Sequence, residues 1–146
     1  APHVGALFFV LFEMSSPEKL RQLLSQKLPS VALNYAVELW EKEPFSFRTT
    51  ATRKSKLGDF RYRRDREIQT ITINADLNPY QFLLTYIHEV AHLHAFVRFG
   101  IEIAPHGAEW KSTFQQLMIF FVYAYARAKE NLKKEKREEL ECYVRK

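Results

Sequence analysis

The amino-acid sequence predicts a single α+β domain in which two helices, a small antiparallel sheet and two further helices follow one another. Apolar residues recur at helical spacing in residues 17–43 and again in residues 80–125. Between these segments, residues 45–76 are rich in aromatic and β-branched residues, which is typical of strands. The chain has 146 residues, 47% of them hydrophobic, which is enough for one packed domain and too little for two.

The first two helices end at prolines. Ser16 is followed by proline and glutamate, the pattern of an N-cap with proline at the first helical position and an acid in the first turn. We expect this helix to end at Pro29. The second helix covers residues 31–43 and ends at Pro44.

Two segments of the middle region have strand character. Residues 45–50 combine aromatic and β-branched side chains, and residues 71–75 alternate apolar with polar. Residues 57–59, Leu-Gly-Asp, are turn-like. We therefore expect two or three antiparallel strands, with a turn at residues 57–59.

The last two helices follow Asn78-Pro79, which breaks the strand pattern. The first of them covers residues 80–99, and Gly100 ends it. The second starts at Gly107 and carries an apolar stripe at helical spacing: Trp110, Phe114, Leu117, Met118, Phe121 and Tyr125. We interpret this stripe as core packing and not as a cofactor site.

The chain divides into an N-terminal segment of residues 1–15, a domain of residues 16–126 and a charged helical extension of residues 127–146. Residues 1–13 precede Met14, and we interpret them either as an expression remnant or as a segment that docks on the core. Their apolar run is shorter than the about 20 residues that span a bilayer, and no lysine or arginine precedes it as in a secretory signal. We expect no membrane partner.

The composition excludes several classes of protein. With 22 Lys and Arg against 17 Asp and Glu, the net charge of +5 permits a polyanionic partner without requiring one. Only 4 Gly and 6 Pro occur, which excludes collagen-like and low-complexity chains. The single cysteine, Cys142, excludes an intrachain disulfide and a cysteine-built zinc knuckle, and it fits a cytoplasmic protein.

The segment His88-Glu89-Val90-Ala91-His92 has the pattern HExxH. On a helix, residues i and i+4 lie on one face, so His88 and His92 can bind one Zn²⁺ ion. Glu89 lies about 100° round the helix, from where its carboxylate reaches a zinc-bound water and accepts its proton as the hydroxide attacks a carbonyl. The pattern predicts one zinc ion and a catalytic Glu89. The alternative is that both histidines satisfy ordinary hydrogen bonds of the core.

A catalytic zinc needs a third protein ligand, for which the sequence offers His94, Glu102, His106 and Glu109. His94 points about 200° away from His92 and cannot share its site. We expect Glu102 to be solvated in a connection, and Glu109 is explained as a first-turn acid facing the helix dipole. We prefer His106, because the proline before it stiffens the chain and the glycine after it lets the backbone pass close to the first ligand helix.

The motif HEVAH together with the downstream PHGAEWKSTFQQLM resembles the SprT-like zinc metallopeptidases, the group that contains bacterial SprT and the protease domain of Spartan. The similarity covers about residues 17–122. It implies a zincin-like fold, a protein or peptide substrate and Glu89 as catalytic base. It also implies that the zinc ligands are His88, His92 and His106.

The resemblance bears on two further features of the chain. It implies that residues 70–75 form the sheet edge on which an extended peptide pairs. Many relatives continue into a cysteine-rich segment similar to a zinc ribbon, which the lone Cys142 cannot build. A DNA-recognition role of that segment therefore does not transfer to these residues.

Basic residues cluster in the strand region, with Phe60 and Tyr62 between them: Arg53, Lys54, Lys56, Arg61, Arg63 and Arg64. Such a basic hairpin can grip the phosphates of DNA, and the aromatic rings can stack on single-stranded bases. The alternative is a solvated pair of strands whose charges prevent edge-to-edge aggregation.

The sequence favours a zinc-dependent endopeptidase that hydrolyses peptide bonds of proteins, including proteins associated with DNA. A second hypothesis is a nucleic-acid-binding zinc domain with little or no protease activity. A third is a structural metal site in a protein whose function lies elsewhere.

Overall fold

The computed structural model describes residues 16–145, so the N-terminal segment of residues 1–15 lies outside the described residues. Helix α1, Pro17–Ser25, begins as predicted: the Ser16 hydroxyl accepts a hydrogen bond from the backbone N–H of Lys19 at 3.3 Å. The predicted second helix is divided. Its first residues form a 3₁₀ turn, and α2 covers Leu33–Lys42.

The sheet has three strands, β1 (Ser46–Thr50), β2 (Gly58–Arg61) and β3 (Thr70–Asn74), in the spatial order β1-β3-β2. β3 is antiparallel to β2 and parallel to β1. The prediction of an antiparallel sheet is therefore wrong for the β1–β3 pair. Alternation of apolar and polar residues identifies a strand but does not encode its partner or direction, and here the connection after β1 crosses to the far edge of the sheet.

Two other predictions for the sheet are wrong. Residues 57–59 do not form a turn, because Gly58 is the first residue of β2. Residues 70–75 do not form a sheet edge, because β3 is paired with a strand on each side. The edge strands are β1 and β2, and β2 packs along the next helix.

Helix α3, Pro79–Phe99, runs through the middle of the core. Asn78 caps its start, because the Asn78 side-chain oxygen accepts a hydrogen bond from the N–H of Gln81 at 2.9 Å. The buried ring of Tyr86 packs on Phe47 of β1, and its hydroxyl donates to a backbone carbonyl of α2 at 2.8 Å. These contacts join the sheet and α2 to α3, so the axial position and rotation of α3 are fixed.

The last helix, α4, covers Ala108–Val144. Its apolar stripe packs as predicted: Trp110 and Leu117 are buried, and Phe114, Met118 and Phe121 are half-buried against the core. From residue 127 onward, nearly every side chain is exposed. Among the helices of residues 16–145, none has both the length and the apolar content needed to cross a bilayer.

Candidate metal centre and its cleft

The HExxH residues lie in the middle of α3, where the helix faces β2 and the start of α4. His88 and His92 are one helical turn apart and half-buried, and Glu89 is 6% exposed. The imidazole centroids of His88 and His92 lie 5.0 Å apart. The helix therefore presents both rings to the same space, as the spacing predicts.

His106 reaches this space from the connection between α3 and α4. Its Nε2 atom lies 3.3 Å from Nε2 of His88, although the two residues are 18 positions apart in the chain. One ring nitrogen from each of His88, His92 and His106 can be chosen such that all lie within 4.8 Å of one another. The structure thus brings together the three histidines named by the sequence.

The donor set fits a zinc ion. Zinc binds imidazole nitrogen at about 2.0–2.1 Å with tetrahedral angles, which places two ligand nitrogens about 3.3 Å apart. This is the separation found between His88 and His106. His106 is exposed while the two α3 histidines are half-buried, so the group opens to solvent on one side.

The α3 histidines are held in the neutral form that binds a metal. Burial lowers the pKa of His88, and the neighbouring His106 lowers it further. Burial, with smaller contributions from His88 and His106, lowers the pKa of His92 to about 4. At neutral pH each of these rings therefore offers an unprotonated nitrogen.

Trp110 of α4 packs against all three histidines. Its ring centroid lies 4.7 Å from that of His88, 5.2 Å from that of His92 and 4.8 Å from that of His106. Its indole N–H donates to the backbone carbonyl of His88 at 3.4 Å. Trp110 was predicted only as part of the apolar stripe of the core, although its position four residues after His106 was a signal for this contact with the histidines.

Glu89 is buried beside β2. The backbone N–H of Phe60 donates to its carboxyl group, which ties the residue to the strand. Burial, and secondarily the carboxylate of Asp59, raise the pKa of Glu89 to about 7, while the Phe60 hydrogen bond and the cations Arg53 and Lys56 oppose the rise. A carboxyl group with this pKa can both accept and release a proton near neutral pH.

Gly58 allows β2 to approach α3 at this point. A Cβ atom on Gly58 would lie 2.6 Å from Cγ2 of Thr85 and 3.1 Å from Cγ of Glu89. A side chain at this position would therefore push the strand away from the helix. The glycine was predicted as a turn residue, and its role in the close approach of β2 to α3 was not predicted.

A cleft of about 650 Å³ surrounds the three histidines. Its lining comes from α3, from β2 with the residues beside it, and from the connection after α3. Glu89 lines the cleft together with His88, His92 and His106. The site is therefore open to solvent.

The other ligand candidates lie apart from this centre. Glu102 is exposed in the connection, and Glu109 lies in the first turn of α4, as expected. His94 lines a separate cleft beside Lys42, and burial lowers its pKa. In residues 16–145 the group that can hold a metal contains none of these three side chains.

Arg53 is turned onto the sheet. Its Nε atom donates to Oδ1 of Asn74 at 2.8 Å, and one of its terminal nitrogens donates to Oγ1 of Thr72 at 3.0 Å. Asn74 is 1% exposed and donates in return to the backbone carbonyls of Arg53 and Lys56. This network holds the β1–β2 connection on the sheet, so Arg53 has a structural role.

The other basic residues do not form one hairpin. The β2–β3 hairpin contains only Arg61, Arg63 and Arg64 of the predicted set, while Lys54 and Lys56 lie in the β1–β2 connection. Three of these cations are in ion pairs at the surface: Lys56 and Arg61 with Asp59, and Arg63 with Asp65. Lys54 and Arg64 are exposed.

Comparison with known proteins gave one result. The model of the SprT-like family matches residues 25–134, a span that includes β2, α3, His106 and the first part of α4. Searches of the curated proteins and of the solved structures gave no match.

Proposed function

We propose that this protein is a zinc-dependent endopeptidase with a zincin-like fold. The premise is that the chain belongs to the SprT-like family. The observation that carries the proposal is the convergence of His88, His92 and His106 next to a buried Glu89 in an open cleft. A purely structural metal site has no need of a buried carboxyl group and an open groove. Both features favour hydrolysis.

In this proposal His88, His92 and His106 hold the zinc ion. A bound zinc ion supplies Lewis acidity, which polarises a peptide carbonyl and makes water more acidic. Glu89 accepts the proton of the attacking water and then delivers it to the departing amine. The Phe60 N–H engages the Glu89 carboxyl group, which sets the position of the base. In the metal-loaded protein the nearby positive charge lowers the pKa of Glu89, so the carboxylate is available at neutral pH.

The substrate is a protein chain that pairs with the outer edge of β2. Leu57 accepts a hydrogen bond from the N–H of Asn74 at 2.8 Å, so its backbone points towards β3. In an antiparallel pair the orientation alternates, and Gly58 and Phe60 therefore direct their backbone groups away from β3, towards the cleft. Because Glu89 engages the Phe60 N–H, the groups left for a peptide are the N–H of Gly58 and the carbonyls of Gly58 and Phe60. An extended peptide can add to such an edge by main-chain hydrogen bonds.

The test compares Glu89→Gln with Glu102→Gln, which removes an exposed carboxylate of the α3–α4 connection that does not line the cleft. We expect Glu89→Gln to lower hydrolysis of an unfolded protein by about 10²–10⁴-fold while zinc content stays unchanged, because only the base is lost. Glu102→Gln should hydrolyse like the wild type. Equal hydrolysis by Glu89→Gln and wild type, or the absence of hydrolysis by the zinc-loaded wild type, contradicts the proposal.

A second candidate function is nucleic-acid binding through the sheet. The register places Arg48 of β1 and Asp59 of β2 opposite Thr72 of β3, and Arg61 opposite Thr70. Arg48 and Arg61 therefore belong to the same face of the sheet, and the Arg61 side chain is 70% exposed. Two exposed arginines on one face can contact phosphates of DNA near the cleft.

The matched comparison for this function uses two triple variants. Replacement of Arg61, Arg63 and Arg64 by glutamine should weaken binding to single-stranded DNA and reduce its salt dependence. The control replaces Lys133, Lys134 and Lys136 of the α4 extension, which removes the same charge elsewhere. An equal loss of DNA affinity in both variants, or binding that does not depend on salt, argues against the sheet as the DNA-binding surface.

We propose the cytoplasm as the compartment. Cys142, the single cysteine of the chain, is a free, exposed thiol on α4. An exposed free thiol is compatible with a reducing compartment.

A further inference from the structure

The cleft has apolar side chains of α3 on both sides of its histidines. His88, Glu89 and His92 lie at its centre on α3. Leu84, one helical turn before His88, lines one end, and Phe96, one turn after His92, lines the other. A chain lying along the cleft therefore meets an apolar side chain of α3 on each side of the histidines.

The end at Phe96 is built from aromatic rings. The ring centroids of Tyr62 and Phe96 lie 4.5 Å apart, and those of Phe60 and Phe96 lie 6.0 Å apart. The Phe60 ring is nearly parallel to that of His92, with an angle of 7° and a centroid distance of 6.5 Å. The rings thus form a continuous wall that begins at a candidate zinc ligand.

Apolar residues of the α3–α4 connection line the same cleft as this wall. Ile101 is 57% exposed and lines the cleft together with Ile103, and Phe96 and Tyr62 are half-buried. The charged residues that line the cleft, by contrast, are Lys56, Asp59 and Glu89. This end therefore offers partly hydrated apolar surface.

We propose that these five residues, Phe60, Tyr62, Phe96, Ile101 and Ile103, form an aromatic subsite that binds an aromatic or large aliphatic side chain of the substrate beside the scissile bond. Aromatic rings gain from offset or edge contacts with other rings, and apolar surface gains from burial. The inference rests on the proposed endopeptidase function.

The subsite defines a class of substrate. Large apolar side chains are buried in folded proteins, so they reach the cleft only when the substrate chain is unfolded or locally unfolded. Pairing with the edge of β2 requires the same extended state. We infer that the substrates are unfolded protein segments that contain aromatic or large aliphatic residues.

The test uses two sets of fluorogenic peptides, one varied at the residue before the cleaved bond and the other at the residue after it. Phe, Leu, Ala or Asp occupies the varied position. Wild-type protein should cleave the Phe and Leu peptides with a KM about tenfold lower than that of the Ala peptide, and the Asp peptide least well. Phe96→Ala should remove this preference by raising KM for the Phe peptide while kcat changes little. Phe96→Leu should restore much of it.

The control variant is Tyr80→Ala, which removes an aromatic side chain of α3 that is 64% exposed and lies outside the cleft lining. It should retain the preference for Phe. Zinc content and thermal unfolding of each variant establish that Phe96→Ala is folded. Equal cleavage of the Phe and Asp peptides by the wild type, or an unchanged preference in folded Phe96→Ala, overturns the proposal.

A binding measurement separates this inference from the proposed function. Zinc-loaded Glu89→Gln protein is titrated with the Phe peptide and with the Asp peptide by calorimetry. If no peptide is hydrolysed by wild type but the Phe peptide binds preferentially, and Phe96→Ala abolishes that preference, the endopeptidase function fails and the subsite stands. Hydrolysis without apolar preference overturns the subsite alone, and neither hydrolysis nor preferential binding overturns both.

Discussion

Gly58 and Thr85 are in such close contact that a Cβ atom on the glycine would lie 2.6 Å from Cγ2 of the threonine. Thr85 lies one helical turn before Glu89, and Phe60, two residues after Gly58, donates its N–H to the Glu89 carboxyl group. The distance between β2 and α3 therefore sets the surroundings of Glu89, the proposed catalytic base.

Gly58→Ala should destabilise the protein by about 1–3 kcal/mol, because the added methyl group overpacks the contact between β2 and α3. It should also lower kcat, since the strand carries the N–H that holds Glu89. Urea unfolding and peptide hydrolysis measure the two effects.

Thr85→Ser provides a rescue for this variant. The serine lacks Cγ2 but keeps the hydroxyl that donates to the backbone carbonyl of Gln81 at 2.8 Å. The double variant Gly58→Ala/Thr85→Ser should therefore recover part of the lost stability and activity. Additive losses in the double variant would mean that the Gly58–Thr85 contact is not the cause.

His106→Ala should lower the affinity for zinc more than the roughly 10–100-fold caused by loss of an outer-shell partner, because a direct ligand is removed. His94→Ala is the matched control: His94 is also on α3 but lines a different cleft. Competition with a chromophoric chelator measures both affinities. Equal zinc affinity in His106→Ala and wild type would exclude His106 as a ligand.

Trp110→Ala should weaken zinc binding as well as destabilise the fold by about 3–5 kcal/mol, because the indole packs on all three imidazoles. Trp40→Ala serves for comparison. Trp40 is similarly buried, but its N–H donates to the carbonyl of Phe45 at 2.8 Å, away from the histidines. It should destabilise the fold and leave zinc affinity nearly unchanged below the unfolding transition. A Trp110→Ala protein with wild-type zinc affinity would mean that the Trp110 ring does not hold the three imidazoles in position for zinc.

Glu89 should make the stability of the metal-free protein fall as pH rises. Its pKa is raised from 4.5 to about 7 in the folded state, so between these values the folded protein binds more protons than the unfolded chain. The free energy of unfolding then decreases with increasing pH across that range. Glu89→Gln removes the effect and should be more stable than wild type by up to about 3 kcal/mol at pH 8.5.

The measurement is urea unfolding of both metal-free proteins across a series of pH values. The difference between Glu89→Gln and wild type should be small at pH 4.5, where the carboxyl group of the unfolded chain is half protonated, and should disappear about one pH unit lower. A difference that is the same at pH 4.5 and pH 8.5 would mean that charge burial at Glu89 does not contribute.

Helices and the histidine spacing were predictable because both are local. The α+β class is confirmed, and so is the resemblance to the SprT-like family. α3 and α4 begin within a residue of their expected starts, since Pro79 and Gly107 act on the adjacent backbone. His106 could be proposed as a partner of His88 because a short connection limits where it can lie.

The sheet was less predictable because pairing is not local. The direction of β1 depends on β3, which lies about 20 residues later in the chain, and no residue of β1 encodes that partner. A glycine such as Gly58 fits either a turn or a close contact with a helix, and the neighbouring sequence does not distinguish the two. The role of Phe60 was hidden because it uses a backbone N–H, which every residue except proline has.

Zinc binding and the surroundings of Glu89 depend on different parts of this chain. The candidate ligands all come from residues 88–106, whereas the neighbours that set Glu89 come from β2, about 30 residues earlier. A variant in which β2 moves away can therefore still fill its histidine site with metal. Stoichiometric zinc in a preparation consequently reports an intact α3–α4 hairpin, and only turnover reports that the strand is in place.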